Sequence, residues 1–154
     1  LITPGIYGYV GATKWLAEIE LTRFDAFEQY WVPRGSDEQA PIKPMSRIDT
    51  PTPLATLDPG ERMLAGVAWA QTRGIDRVEV QIDDEPWREA TLSRAISDVT
   101  WVQWRFAWDA APGRHQLRVR ATDGAGDTQT DERVGIVPNG VSGQHSIPVT
   151  IREA

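Results

Sequence analysis

The sequence predicts an all-β fold, and three features carry that prediction. Short apolar runs alternate with polar residues at the period of a strand, Gly- and Pro-rich turns separate them, and no long amphipathic helical pattern interrupts them. Short strands spaced in this way build a two-sheet antiparallel β-sandwich of immunoglobulin-like type, preceded here by an N-terminal extended segment. With 154 residues, 40% of them hydrophobic, the chain is long enough to bury roughly two-thirds of its unfolded surface without covalent staples.

The first element in chain order is the least regular. "PGIYGYVGATKWLAEIELT", residues 4–22, opens on Pro4, Gly5 and Gly8, meets a Lys14-Trp15 pair and then alternates like a strand. In "FDAFEQYW", residues 24–31, Asp25 is placed to cap a helix of one or two turns, with Phe24, Phe27 and Tyr30 or Trp31 recurring at helical spacing. Residues 32–61 carry six prolines (Pro33, Pro41, Pro44, Pro51, Pro53 and Pro59) and read as an extended connection with a strand at "SRIDT", because Pro disfavours helix and removes ladder donors. A domain boundary is expected between 35 and 45.

Five stronger strands follow in residues 62–152. "MLAGVAWA" places Met63, Ala65, Val67 and Trp69 on one face; "DRVEVQID" turns Val78, Val80 and Ile82 inward and Arg77, Glu79, Gln81 and Asp83 outward. In "WVQWRFAW", Trp104, Phe106 and Trp108 share the core face, while Trp101, Gln103, Arg105 and Ala107 share the other. "HQLRVRAT" turns Leu117, Val119 and Ala121 inward against Arg118, Arg120 and Thr122. "HSIPVTI" repeats the pattern with Ile147, Val149 and Ile151, and Pro148 assigns that strand to an edge or a bulge. Asp83-Asp84-Glu85-Pro86, Ala110-Ala111-Pro112-Gly113 and Asp123-Gly124-Ala125-Gly126 supply the turns.

Charge and composition exclude several function classes. A formal net charge of -6 argues against nucleic acid or an anionic membrane as a direct partner, since both require a clustered basic surface. No apolar run approaches the ~18 residues of a membrane span, and the N-terminus lacks the order of a signal peptide. Cysteine is absent, which removes disulfides, thiolate nucleophiles and cysteine metal ligands from this chain. A beginning at Leu1, with Pro4-Gly5 and Gly8 unanchored, leads us to expect a longer parent chain.

Individual sites read as follows. Ser142 in "NGVSGQH" precedes a strand, whereas a nucleophile elbow needs a strand-to-helix turn, so it reads as a turn residue. His115 and His145 lack a spaced carboxylate and read as packing or hydrogen-bonding residues; "DGAGD" and "DDE" have too few ligands for calcium. The seven tryptophans divide between core packing and exposed platforms for a sugar or a partner. Arg105, projecting from the back of an aromatic strand, fits either a surface ion pair or a guanidinium aimed at an anion across an interface. Gly5, Gly8, Gly11 and Lys14 fit either a structural turn or a backbone approach to phosphate.

The order of these motifs resembles the C-terminal part of the sulfite oxidase family of molybdopterin oxidoreductases. "PGIYGYVGATKWLAEIELT" is similar to the segment that ends their cofactor domain, where a Pro-Gly loop leads to a Lys-Trp-Leu strand. "RVEVQIDDEPWREATL", "WVQWRFAWDAAPGRHQLRVRATDGAGDTQ" and "NGVSGQHSIPVTI" are similar to the immunoglobulin-like dimerisation domain that follows. The resemblance implies that residues 1–40 are the end of a molybdopterin domain and a linker, and that residues 41–154 are the dimerisation domain. It implies Lys14 as a cofactor contact near the pterin phosphate and Arg105 as a contact to an oxyanion substrate in the parent. Family members hold molybdenum through a cysteine, so the ligand is expected upstream and this piece is expected to be inactive and free of the cofactor by itself. The implied partners are the upstream molybdopterin domain of the same chain and a second subunit. "YGYVGATKWL" and the proline-rich "APIKPMSRIDTP" are similar to bacterial membrane-anchored members, which implies an extracytoplasmic place in the cell envelope. The alternative left open is a stand-alone sandwich that binds carbohydrate or protein.

Overall fold

Among residues 1–153, which the computed structural model describes, nine strands pack as two sheets. One sheet has the order β1-β3-β7-β6, built from β1 (Met45–Thr50), β3 (Gly60–Trp69), β6 (Thr91–Leu92) and β7 (Val102–Ala110). The other has the order β2-β9-β8-β4-β5, from β2 (Thr56–Leu57), β4 (Ile75–Ile82), β5 (Arg88–Glu89), β8 (Gly113–Asp123) and β9 (His145–Ile151). This is the immunoglobulin-like sandwich that the sequence predicts. Its pairings are antiparallel except for the two-residue parallel contact of β2 with β9.

The core lies where the alternation places it. Val78, Val80 and Ile82 of β4 face Ala121, Val119 and Leu117 of β8, and Ile147, Val149 and Ile151 of β9 complete that side, all buried. Trp104 and Trp108 of β7 close over them from the other sheet, together with Ile48 and Leu64. Each fully buried Val, Leu or Ile contributes about 1.5–3 kcal/mol, so these strands hold the sandwich together by apolar burial. Pro148 is tolerated because β2 covers only Thr150 and Ile151 of β9, leaving the proline on an edge stretch.

β3 has its faces the other way round from the one the eye picks first. Leu64, Gly66 and Ala68 are the buried set, whereas Met63, Ala65, Val67 and Trp69 form the outer face, with Met63 44% exposed. Register explains the choice: Gly66 lies opposite Trp104 and Leu64 opposite Phe106, so the parity of β7 fixes that of β3. A Cβ on Gly66 would stand 2.9 Å from Cζ2 of Trp104 and 1.8 Å from the Arg47 carbonyl oxygen, so the glycine leaves room for the indole and for β1. Thr122 departs from the outward position predicted for it. It is buried, sharing a hydrogen bond of 2.9 Å with Thr128, because the chain after β8 folds back over that end.

Two expectations fail before the sandwich begins. Residues 16–22 alternate like a strand but pair with nothing, since no neighbouring backbone lies alongside to complete a ladder. Residues 24–31 form no helix: Asp25 pairs with Arg23 at 3.1 Å instead of capping, and the chain turns at Phe24–Ala26. The helical turns are α1 (Gly8–Gly11) and a 3₁₀ turn at Val32–Arg34. Among the described residues no helix is long and apolar enough to cross a membrane.

Candidate functional site

The opening loop closes on itself. The Thr3 N–H donates to the Gly11 carbonyl at 2.7 Å, Leu1 and Thr13 exchange bonds of 3.0 Å, and α1 fills the bend between them. Gly5 adopts φ +84°, which favours glycine, and a Cβ on Gly11 would come within 2.6 Å of the Ile6 side chain. These two glycines therefore serve the loop's own packing. The loop docks through the Tyr7 N–H on the Ala40 carbonyl at 2.8 Å and the Ile42 N–H on the Gly5 carbonyl at 3.0 Å. The Tyr9 hydroxyl donates to the Pro138 carbonyl at 3.2 Å.

Lys14 leaves this loop exposed, and among the described residues no hydrogen bond or ion pair holds its ammonium. The next residues keep their apolar side chains in solvent as well. Trp15 is 96% and Leu21 99% exposed, and Ile19, Phe24, Phe27, Tyr30 and Trp31 are all exposed. Arg105 stands on the outer face of the first sheet, directly opposite Ala65 on β3 and Thr91 on β6. It too has no carboxylate partner among the described residues, so it is not the surface ion pair that was one of its two readings. No bond joins Lys14 to Arg105.

Between the loop and the sandwich lies a cleft of about 820 Å³, which pattern reading along the chain did not signal. Tyr7, Ile42, Met45, Trp69, Val134 and Val141 supply most of its apolar wall, from segments far apart in sequence. Lys43 Nζ is engaged on the Gly140 carbonyl at 2.8 Å, and Gln129 ties the wall together by accepting from Ser46 at 2.7 Å and donating to the Gly143 carbonyl at 2.8 Å. Beside it the fully buried Asp123 receives Arg73 Nε at 2.5 Å and the N–H groups of Ala125 and Asp127 at 3.0 Å. Burial opposes the charge of Asp123, but the Arg73 bond and the backbone donors outweigh it and hold the carboxyl below the usual range. Arg73 also reaches the Ile42 carbonyl at 2.8 Å, which fastens the linker to the sandwich.

Ser142 and the two histidines make hydrogen bonds within the fold, in keeping with the turn and hydrogen-bonding roles read from the sequence. Ser142 Oγ donates to the Glu132 carbonyl at 2.7 Å, and His145 Nδ1 accepts from the Ile48 N–H at 3.1 Å, so no base activates the serine. His115 lies between Asp83 and the Ala111 carbonyl, 2.8 Å from each, with its ring edge-on to Trp108. Of the tryptophans, Trp104 and Trp108 are core residues, Trp69 and Trp87 are half-buried, and Trp15, Trp31 and Trp101 are exposed. Among the described residues no three His, Cys, Asp or Glu side chains gather around a metal-sized space. The resemblance implies a cysteine thiolate for the metal and a set of donors for the pterin phosphate. With no cysteine in the chain and Lys14 standing alone, the residues present do not make up a site for the cofactor.

No protein-family model and no curated protein matches the chain. Among solved structures it is similar to the sulfane dehydrogenase SoxCD of Paracoccus pantotrophus, at 21% identity and a TM-score of 0.59, over 74% of this chain and 33% of that one. It also matches the fibronectin(III)-like modules of Clostridium thermocellum CbhA, at 18% identity and a TM-score of 0.46, over 72% of this chain and 47% of that one. The chain thus spans about a third of the SoxCD chain it matches. At 21% identity the likeness to SoxCD shows the fold alone, a β-sandwich.

Proposed function

We propose that the chain is the subunit-pairing, accessory part of a molybdenum-dependent oxidoreductase of sulfite oxidase type, inactive without the cofactor domain upstream of it. The observation that carries this reading is the stretch from Trp15 to Trp31, which pairs with no strand and leaves its large apolar side chains exposed. Exposed apolar surface of this extent calls for a covering partner. On this reading residues 1–40 are the last strip of the cofactor domain, residues 41–154 are the dimerisation domain, and the run packs within the upstream domain. Lys14 then meets the phosphate end of the pterin and Arg105 an oxyanion substrate, each in the intact parent only. The apolar outer face of β3 supports a second contact, between subunits, with the twofold symmetry usual for homodimers. The sequence resemblance supports an extracytoplasmic parent anchored in a bacterial envelope, with no direct membrane contact by this part.

Light scattering tests the pairing role. The intact parent is expected to be a dimer and to become monomeric when residues 60–154 are deleted; a dimer that survives the deletion contradicts the reading. A second reading rests on the exposed indoles of Trp15, Trp31 and Trp101, which suit a stand-alone module that binds carbohydrate or protein. Saturable quenching of tryptophan fluorescence by soluble glycans supports that reading, and a flat titration removes its carbohydrate form.

A further inference from the structure

The outer face of the second sheet carries more arginine than it can neutralise. Arg77 and Glu79 project from β4, and Arg118 and Arg120 from β8, with Glu79 opposite Arg120 and Gln81 opposite Arg118 in register. One carboxylate oxygen, Oε2 of Glu79, receives Arg120 Nε at 2.9 Å and lies 3.6 Å from Arg77 Nε. Arg120 also lies over the Trp87 ring at 4.3 Å. That carboxylate is therefore already shared by two guanidiniums. Arg118, half-buried, is left with one long bond of 3.4 Å to the neutral Gln81 amide and no carboxylate within ion-pair distance among the described residues.

Arg118 lines a polar cleft of about 300 Å³ together with Gln116, Asp131, Arg133, Gln144 and Ser146. Arg133 likewise has no carboxylate partner among the described residues, and its side chain makes a long hydrogen bond of 3.5 Å to the Ser146 hydroxyl. Two guanidiniums face one carboxylate here, and Asp131 forms an ion pair with neither, so the cleft is locally positive on a chain of net charge -6. Planar guanidiniums with free N–H forks, flanked by amide and hydroxyl donors, match the oxygens of a tetrahedral oxyanion.

We propose that this cleft binds a small tetrahedral dianion of the sulfate or phosphate class between Arg118 and Arg133. Gln116, Gln144 and Ser146 supply neutral donors, while Asp131 opposes the ligand's charge and keeps its binding reversible. The site is on the opposite outer face from Arg105 and does not depend on the proposed parent enzyme.

The test is a titration of the 154-residue chain with sodium sulfate, and separately with phosphate, at ionic strength held constant with sodium chloride. The backbone N–H signal of Ser146, which lines the cleft and is kept in every variant, is followed by NMR. A saturable shift of that signal is expected, with Arg118→Gln and Arg133→Gln each weakening binding by about tenfold, the scale of a lost charge-assisted contact. Asp131→Asn is expected to tighten it, a gain that loss of folding cannot imitate. A shift that chloride reproduces, saturation unaffected by Arg118→Gln, or weaker binding by Asp131→Asn would overturn the proposal.

Discussion

At the scale of single residues, the two histidines answer pH with opposite signs. Burial disfavours charge on His115, but its bonds to Asp83 and the Ala111 carbonyl, with the charges of Asp83 and Glu85, outweigh this and raise its pKa. Its contribution to stability is therefore complete below the ordinary histidine pKa of about 6.5 and is lost as pH rises through the raised folded value. For His145, burial and then the Arg47 charge lower the pKa against the opposing Asp49. Its contribution is present above about 6.5 and is lost as pH falls through the lowered folded value. Urea unfolding from pH 5 to 8 should show the deficit of His115→Gln shrinking toward pH 8 and that of His145→Gln shrinking toward pH 5; parallel profiles would contradict the assignment. Asp123 is the other residue on which much rests, because it answers one guanidinium and two backbone N–H groups from a fully buried position. Asp123→Ala should cost about 3 kcal/mol in the same assay, since a partner charge and two donors lose their acceptor. A cost within 0.5 kcal/mol, the range of an ordinary surface change, would show that the tie is dispensable.

At the scale of elements, the sandwich depends on how β3 and β7 meet. Gly66 lies under Trp104 and against the β1 backbone, so Gly66→Ala should destabilise by about 3 kcal/mol, the upper end of an overpacked core position. A near-neutral result in thermal or urea unfolding would contradict the close approach. The same strand shows where sequence reading reaches its limit. In β4, β8 and β9 polar and apolar residues alternate, so one face alone can be buried, and the sequence assigns it correctly apart from Thr122. "MLAGVAWA" is apolar at both parities, and the choice is made by its neighbour across the sheet, where bulky Trp104 requires a glycine opposite. The misread N-terminal run has a related cause: alternation in residues 16–22 reports a preference for a sheet, not the presence of a partner strand. The candidate site divides in the same way. Lys14 and Arg105 are visible in the sequence as charged residues on a loop and a strand, whereas the 820 Å³ cleft, the Arg73–Asp123 tie and the setting of Arg118 exist only after distant segments meet.

At the scale of the whole molecule, the two outer faces of the sandwich differ in kind. The second sheet presents arginine, glutamate and glutamine to water, as an exposed face should. The first presents Met63, Ala65, Val67 and Trp69 around Arg105, and the N-terminal run adds exposed side chains from Trp15 to Trp31. Both surfaces leave large apolar side chains in solvent among charged ones. In the proposed parent the run is covered by the cofactor domain and the first sheet by a second subunit, which explains why a folded sandwich carries so much apolar surface outside its core. The two coverings are separable, since loss of the cofactor domain would expose the run without touching the sheet. Amide hydrogen exchange over residues 15–31, compared between this chain and the intact parent, tests the central claim most directly. The account predicts rapid exchange in the chain alone and at least a hundredfold slowing in the parent, about 2.7 kcal/mol of added protection; equal exchange in both would contradict it.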